Sequence, residues 1–295
     1  MGNLNVEAIS NSILFSVIIP HKNTPDLLKR CLDSIPRTEG IQVIVVDDNS
    51  CKSIVDFNEL TDLKDGFVEV YLTKEGKGAG YARNVGMKYA KGKWLLFADA
   101  DDFFTENAFE HLFAQADVSE DIVYFKSSSC YSDTGEPAKR ELKYNKLIDD
   151  FIEKKQYAED RLRYIWNTPW AKMIKRELVE HQNILFDEIP IANDLIFSCH
   201  IGHHAASVKA EDKVIYMITV SLGSLTNTQC FKLHKIKFVV FFRRNRFLRK
   251  IGKKHICPSL IKRLFQKTLG CERMNTNNYK VKNMPMKNQK KEVSA

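Results

Sequence analysis

The sequence predicts a globular α/β fold in which a mixed, mainly parallel sheet is flanked by helices. Short β-branched runs alternate with segments of helical periodicity through the first third of the chain. Polar residues gather where those runs end, as they do at the ligand-binding edge of parallel sheets. With 295 residues, 44% of them hydrophobic, the chain is long enough to bury a sizeable core.

Four strands and two helices are predicted along the first third of the chain. Residues 15–20 form a β-branched run that a proline stops, as expected of a buried parallel strand. Thr24 as N-cap and Pro25 at the first helical position begin a helix over residues 25–35. The other predicted strands cover residues 42–46, 68–72 and 94–98, and the other helix covers residues 79–89.

Beyond Asp121 the regular alternation gives way to a less ordered pattern. Residues 122–125 predict a strand, and the charged segment 146–163 predicts a helix. Residues 170–179 predict another helix, since they follow Pro169.

The charge is divided unevenly along the chain. Residues 231–295 hold 19 lysines and arginines against two acids, about +17, whereas residues 1–230 hold 26 against 35, about −9. Such asymmetry indicates a tail that meets an anionic surface. From about residue 275 the chain is polar and poor in large apolar residues, which predicts disorder.

Targeting, disulfide and zinc-binding patterns are missing from the sequence. Residues 1–12 are polar and lack the basic and then apolar regions of a signal peptide. No stretch reaches the roughly 18 apolar residues that span a bilayer. The seven cysteines form no CxxC pair, which argues against a disulfide framework or a zinc site. We therefore expect a cytoplasmic protein.

Three carboxylates, those of Asp99, Asp101 and Asp102, follow the fourth predicted strand. Because they repel one another, they call for a cationic ligand, and Mg²⁺ or Mn²⁺ held in this way keeps positions open for phosphate oxygens. The alternative is an acidic turn that caps the next helix. On its own the cluster favours the cap.

A glycine-rich loop and a polar strand end accompany the acidic cluster. Over residues 76–86 the glycines let the backbone approach a ligand, the next helix offers N–H groups to an anion, and Arg83 can fork onto phosphate. Residues 47–50 place polar side chains at a strand end, where they suit hydrogen bonds to a base or ribose. Taken singly, each segment is also typical of a turn.

Together and in this order, these segments resemble the family 2 inverting glycosyltransferases of the bacterial surface-polysaccharide type, which have the GT-A fold. The matching motifs are Ser16-Val17-Ile18-Ile19-Pro20 with Asn23, Val45-Val46-Asp47-Asp48-Asn49-Ser50, Gly80-Tyr81-Ala82-Arg83-Asn84-Val85-Gly86 and Leu96-Phe97-Ala98-Asp99-Ala100-Asp101-Asp102. The resemblance is close over about residues 14–110 and looser to about residue 228. It implies three parts: a nucleotide-sugar-binding half over residues 1–115, an acceptor-binding half over residues 116–230, and a basic, partly helical tail over residues 231–295.

By this resemblance the first half binds a UDP-sugar donor. Asp48 would bind the base, and Arg83 would lie at the nucleotide. Asp99 and Asp101 would hold the ribose and the Mn²⁺ or Mg²⁺ on the diphosphate, with Asp102 as the direct metal ligand beside Asp101. The remaining donor-binding residues implied by the resemblance are Pro20, Lys22, Asn23 and Gly80.

The second half would supply the catalytic base. Pro169-Trp170-Ala171-Lys172 resembles the family's Pro-Trp-x-Lys segment, and residues 186–197 resemble the segment that carries the base, which would be Asp194. Displacement at the anomeric carbon with inversion needs this carboxylate on the face opposite the leaving diphosphate. Without the resemblance, Asp194 would be interpreted as the N-cap of a helix.

The chain departs from the family pattern at three places. Lys22 stands where many relatives have an aromatic residue that stacks on the base, and Asn193 replaces an acid that often precedes the catalytic one. Residues 216–219 lack the tyrosine and arginine pattern that is common before the closing loop. His203 and His204 are interpreted as exposed or core residues rather than metal ligands.

The sequence therefore predicts metal-assisted transfer of a sugar from a UDP-sugar to a hydroxyl of a glycan or lipid-linked glycan. The nearest alternative enzyme is a nucleotidyltransferase, but its glycine-rich loop is expected just after the first strand, where Pro20-His21-Lys22-Asn23 stands. The non-enzymatic alternative is a basic-tailed nucleic-acid binder, although no reading motif accompanies the charge. For the tail, an interfacial helix at an anionic membrane and a solvated segment are equally open interpretations.

Overall fold

The computed structural model describes residues 13–57, 66–221 and 231–257. The chain forms two compact units, Met1–Phe247 and Leu248–Ala295. The predicted boundaries near residues 115 and 230 stay predictions, and the polar segment beyond about residue 275 lies outside the described residues.

One sheet organises the described part of the first unit. Its eight strands are β1 (Phe15–His21), β2 (Ile41–Asp47), β3 (Val68–Leu72), β4 (Trp94–Phe97), β5 (Phe103–Phe104), β6 (Ile122–Tyr131), β7 (Lys172–Lys175) and β8 (Val208–Val220). Their order across the sheet is β3-β2-β1-β4-β7-β6-β8-β5. The pairs β1/β2, β2/β3, β1/β4 and β6/β8 are parallel, and the pairs that involve β5 or β7 are antiparallel. The predicted mixed, mainly parallel sheet is confirmed.

Helices connect and flank the strands. They are α1 (Pro25–Asp33), α2 (Ala79–Tyr89), α3 (Ala108–Phe113), α4 (Leu142–Ile152), α5 (Ala158–Ile165), α6 (Arg176–His181), α7 (Asp194–His204) and α8 (Phe231–Lys250), followed by a 3₁₀ turn at Lys254–Ile256. Helix α1 begins at Pro25 after Thr24, as predicted, and ends at Asp33. Helix α2 packs closely on β1, since a Cβ on Gly86 would lie only 2.6 Å from the Cγ2 of the buried Ile18.

The carboxyl ends of the parallel strands meet at one edge of the sheet. Pro20 lies opposite Val46, and His21 lies opposite Asp47. On the other side of β1, Ile18 lies opposite Phe97. Strand β4 therefore ends at the same edge, and the acidic cluster follows it there. The predicted gathering of polar strand ends follows from this shared direction.

The single helix predicted over residues 146–163 is wrong, because the segment forms two helices, α4 and α5. Lys154 and Tyr157 between them take left-handed backbone conformations, with φ of 53° and 58°. The Asp150 carboxylate, 1% exposed, accepts hydrogen bonds from Lys155 and from Arg161 on α5. The Asp150 carboxylate on α4 thus holds the turn between α4 and α5 in place. Helical periodicity in the sequence does not reveal this turn.

The helix predicted over residues 170–179 is also wrong in its first half. Residues 172–175 form β7, which pairs antiparallel with both β4 and β6, and the helix begins only at Arg176. Ala171 enters the strand with a φ of 54°. Tertiary pairing with two neighbouring strands outweighs the local preference of this short segment.

A second close approach fixes the turn that leads into β4. The Ser16 hydroxyl accepts hydrogen bonds from the backbone N–H groups of Lys91 and Gly92, and it donates one to Gln42. A Cβ on Gly92 would lie 2.5 Å from the Ser16 backbone nitrogen and 2.6 Å from the Phe15 carbonyl carbon. Only glycine lets the turn reach β1 this closely.

We expect Gly92→Ala to lower the free energy of unfolding by about 1 to 3 kcal/mol, because the new methyl group would displace backbone rather than a flexible side chain. Urea denaturation followed by circular dichroism measures the change. Lys91→Ala is the control, since it removes an exposed side chain from the same turn. Equal stability of the two variants would contradict the proposed contact.

Candidate functional site

The polar end of β2 is held in place by β1. His21 Nδ1 lies 2.8 Å from Asp47 Oδ1, and the Ser50 backbone N–H donates to Asp47 Oδ2 at 2.8 Å. Asn23 crosses to the same loop, where its side-chain oxygen accepts from the Cys51 N–H at 2.7 Å. Asp47 and Asn23 therefore shape the loop around the next residue, Asp48.

One carboxylate oxygen of Asp48 is buried without a hydrogen-bond partner among the described residues. Its Oδ2 accepts a hydrogen bond from the Gly78 N–H at 2.9 Å and lies 3.5 Å from the Lys22 ammonium. Its Oδ1 is buried and accepts no hydrogen bond from the residues that the structure describes. A buried acceptor of this kind calls for a donor group from outside the chain.

Gly80 and Asn84 bring helix α2 against the segment that precedes Asp194. A Cβ on Gly80 would lie 2.2 Å from the Asp187 carbonyl oxygen. The Asn84 side chain donates to the Phe186 carbonyl at 3.0 Å and accepts from the Phe186 N–H at 2.8 Å. Gly80 thus serves close packing of two backbones, whereas Pro20, another residue predicted at the donor, lies buried within β1.

Arg83 joins the two halves of the site. Its Nη2 donates to Asp99 Oδ1 at 2.5 Å, and its Nη1 donates to Asn193 Oδ1 at 3.0 Å. The guanidinium is buried and lies over the Phe186 ring at 5.3 Å. Asn193 therefore accepts a hydrogen bond from the cation that also pairs with the acidic cluster.

The structure brings Asp99, Asp101 and Asp102 together. One carboxylate oxygen from each lies within 4.8 Å of the others, and within the described residues this is the group whose geometry suits a metal ion. Burial, with Asp101 and Asp99 adding to it, raises the pKa of Asp102 well above its usual range. A divalent cation would relieve this repulsion with oxygen ligands of the type it prefers, so the residues fit Mg²⁺ or Mn²⁺.

Residues of strand β8 form hydrogen bonds with the acidic cluster, and these contacts were not predicted from the sequence. The Thr219 N–H donates to Asp102 Oδ1 at 2.7 Å, and its hydroxyl donates to the Asp101 carbonyl at 2.5 Å. The Tyr216 hydroxyl accepts from the Asp99 N–H at 2.9 Å. Its ring stacks on Trp170, with centroids 5.6 Å apart. Residues 216–219, which depart from the family pattern, thus position the cluster.

Asp194 begins helix α7 beside two cations. Burial raises the pKa of Asp194 to about 6, and the negative charge of Asp99 adds to the rise. The positive charges of Arg83 and Lys172 oppose it. Burial lowers the pKa of Lys172 to about 7, against the pull of Asp194. The Lys172 ammonium donates to the Trp166 carbonyl at 3.2 Å and lies 5.1 Å from the Tyr124 ring centroid. A carboxylate with a pKa near 6 is ionised at neutral pH and still accepts protons readily.

His203 and His204 belong to a different part of the molecule. They lie in the last turn of α7, where both are exposed. The His203 ring contacts Phe247 edge to face, with centroids 5.4 Å apart. The described metal-compatible group does not include either histidine.

No helix in the described ranges has both the length and the apolar character needed to cross a bilayer. The residues around the closing loop, 222–230, lie outside those ranges.

Comparison with known proteins agrees with this geometry. The sequence model of Glycosyl transferase family 2 matches residues 16–182. The uncharacterized glycosyltransferase EpsJ of Bacillus subtilis is 31% identical over 222 residues, which cover 72% of this chain and 63% of EpsJ. The poly(ribitol-phosphate) beta-glucosyltransferase of Bacillus spizizenii is 25% identical over 211 residues, which cover 69% of this chain and 32% of that protein. The chain thus spans less than two thirds of either relative.

A solved structure shows the same fold. The crystal structure of S. aureus TarS in complex with UDP-GlcNAc superposes with a TM-score of 0.62 and 20% sequence identity, over 83% of this chain and 73% of that one. The predicted GT-A fold is confirmed.

We expect Asp194→Asn to stabilise the protein at pH 8 by about 1 to 3 kcal/mol, because each unit of raised carboxyl pKa corresponds to about 1.4 kcal/mol. With a folded pKa of about 6 and an unfolded value of about 3.9, the folded state binds more protons between these values. Stability is therefore lost as the pH rises from about 4 to about 6, and the asparagine variant escapes that loss.

Urea denaturation at pH 4 and pH 8 measures the effect. Asp133→Asn is the matched control, since it makes the same chemical change at an exposed turn. A gain for Asp194→Asn that is equal at both pH values would contradict the raised pKa.

Proposed function

Because the chain belongs to glycosyl transferase family 2, we propose that it transfers a sugar from a UDP-sugar, with inversion and with a divalent metal ion, to a hydroxyl of a glycan or lipid-linked glycan. The observation that carries this proposal is the bridge made by Arg83. It links Asp99 of the metal-compatible cluster to Asn193, the neighbour of a carboxylate with a raised pKa. Arg83 would thus connect the residues that bind the donor with the residue that activates the acceptor.

The donor half of the proposal rests on Asp48 and the acidic cluster. The unsatisfied Asp48 oxygen would accept an N–H of the base, and Lys22 beside it would donate to a base carbonyl or to the diphosphate. Asp102 and Asp101 would hold Mn²⁺ or Mg²⁺, which when bound neutralises charge on the departing UDP. TarS, a structural neighbour, has been solved with UDP-GlcNAc, and this supports a uridine donor.

Asp194 is the proposed catalytic base. Its carboxylate would take the proton of the acceptor hydroxyl as the oxygen attacks the anomeric carbon, on the face opposite the leaving diphosphate. Attack from that face inverts the configuration. Arg83 and Lys172 would limit the rise of the Asp194 pKa, so that the group stays ionised at neutral pH.

The acceptor is proposed from the relatives. The Bacillus spizizenii relative is named for poly(ribitol-phosphate), and this supports an acceptor that is part of a surface polymer. We place the reaction in the cytoplasm, at the inner face of the membrane where the acceptor is lipid-linked.

We expect UDP release from one or more members of a panel of UDP-sugars, and its loss when EDTA removes the metal. Asp194→Asn should lower kcat by about 10²- to 10⁴-fold with little change in donor KM. Asp102→Ala should abolish the response to Mn²⁺ and Mg²⁺. The assay measures the nucleoside diphosphate that each donor releases, which is UDP for the UDP-sugars and GDP for GDP-mannose, the different nucleotide sugar. Asp133→Asn is the matched control.

Three results would count against the proposal. Full turnover by Asp194→Asn would remove the base, and undiminished activity in EDTA would remove the metal. Formation of a UDP-sugar from UTP and a sugar phosphate, with release of pyrophosphate, would favour the nucleotidyltransferase alternative.

The pH dependence of kcat/KM for the acceptor tests Asp194 separately. Since only the ionised carboxylate accepts a proton, kcat/KM should be constant above pH 7 and fall about tenfold per pH unit well below the Asp194 pKa of about 6. Rates measured from pH 4.5 to 8.5 give the profile. A kcat/KM that stays nearly constant down to pH 4.5 would instead mean that a carboxyl of ordinary pKa, about 3.9, limits the rate.

A further inference from the structure

Helix α8 exposes three large apolar side chains on one face. Phe238, Val239 and Phe242 are 52%, 56% and 51% exposed. Phe242 follows Phe238 by four residues and Val239 by three, so its side chain lies next to both on the helix surface. A group of exposed aromatic and aliphatic side chains is costly in water and marks an interaction surface.

Cations surround these apolar side chains. Lys235 and Arg246 are exposed and lie on the same face, one turn before and one turn after the apolar group. Arg243, half-exposed and ion-paired with Asp187, lies at the edge of this face. Helix α8 contains no acidic residue, so the face is apolar at its centre and positive around it.

The opposite face of α8 is fixed to the body of the first unit. Val240, Phe241 and Arg244 are buried. Arg244 donates to the Tyr164 carbonyl at 2.8 Å. The exposed apolar side chains therefore stay exposed because other side chains of the helix already fill its contact with the protein.

Helix α8 also contacts the elements that carry the proposed base. Arg243 forms an ion pair with Asp187 at 2.9 Å, and Phe247 stacks on His200 with ring centroids 4.7 Å apart. His200 lies on α7, the helix that starts at Asp194. A surface bound by α8 would consequently lie in a fixed direction from the acceptor side of the site.

We propose that the face formed by Lys235, Phe238, Val239, Phe242 and Arg246 docks on the surface of an anionic lipid bilayer. The apolar side chains enter the boundary between headgroups and acyl chains, while the cations meet anionic headgroups. Charge complementarity selects this partner, since an amphipathic helix with a basic face suits an anionic interface. The helix lies along the membrane, because no helix in the described ranges is both long enough and apolar enough to cross it.

This inference depends on the proposed function in one respect: docking would bring the site to a lipid-linked acceptor. Docking itself needs neither donor nor metal. Vesicle binding and sugar transfer can therefore be measured independently.

The test is co-sedimentation of the full chain with vesicles of phosphatidylcholine alone and with phosphatidylglycerol added. The wild type should sediment with the anionic vesicles. Phe238→Ser/Val239→Ser/Phe242→Ser should lower the partition coefficient by roughly tenfold or more, because it removes the apolar area that enters the membrane. Leu142→Ser/Ile152→Ser, which changes exposed apolar side chains on α4, is the control and should bind as the wild type does.

Two further variants keep the outcome decisive. Lys235→Gln/Arg246→Gln should reduce the preference for phosphatidylglycerol, and Phe242→Trp should show a blue-shifted fluorescence only with anionic vesicles. Wild-type binding by the triple serine variant would overturn the proposal and assign membrane affinity to basic residues outside this face. Failure of the wild type to bind either vesicle would overturn it as well.

Sugar transfer to a water-soluble acceptor separates this inference from the proposed function. The triple serine variant should retain that activity and the wild-type circular dichroism. Loss of vesicle binding with transfer intact supports the docking face. Equal loss of transfer to the soluble acceptor would show that the variant damages the enzyme, and would overturn a role limited to docking.

Discussion

The structure depends most on a single buried cation, the guanidinium of Arg83. Its Nη2 donates to Asp99 and its Nη1 donates to Asn193, a residue 110 positions further along the chain. Burying a cation is costly unless it is paired with an opposite charge and hydrogen-bonded, so this bridge constrains both partners at once. Glycine at position 80 permits the same approach, because any side chain would collide with the Asp187 carbonyl. The motif around Arg83 therefore joins helix α2 to the acidic cluster and to the segment before Asp194.

The site concentrates carboxylates that the fold neutralises only in part, since Arg83 pairs with Asp99. Asp102 is buried among like charges, and Asp194 is buried with a raised pKa. Each costs folding free energy, as is common where the same groups must bind a cation or accept a proton. The Thr219 N–H donates to Asp102, and the Tyr216 hydroxyl accepts from the Asp99 N–H; both bonds hold the geometry without removing the charge. A bound divalent cation would reduce the repulsion between these carboxylates.

The basic end of the chain divides into parts with different roles. Over the described residues 231–250, some cations of α8 are used internally: Arg244 is buried against Tyr164, and Arg243 pairs with Asp187. Others stay exposed around Phe238 and Phe242. A net charge of about +17 over residues 231–295 therefore overstates how much charge faces a partner, and the arrangement on one helix face matters more than the total.

The sequence by itself determined the strands and helices of the first third, the GT-A fold and the grouping of acidic residues after β4. The strands and helices follow from local periodicity and caps. The GT-A fold was implied by the resemblance of short motifs to a known family. Prediction from the sequence failed at residues 146–163 and 170–179, where a buried carboxylate and two neighbouring strands override local preference. Only the tertiary structure decided that Thr219 holds Asp102, that Arg83 reaches Asn193, that the Asp194 pKa rises to about 6 and that Phe238 stays exposed. The reason is physical: hydrogen bonds, burial and pKa depend on distances between residues far apart in sequence, and no local pattern encodes them.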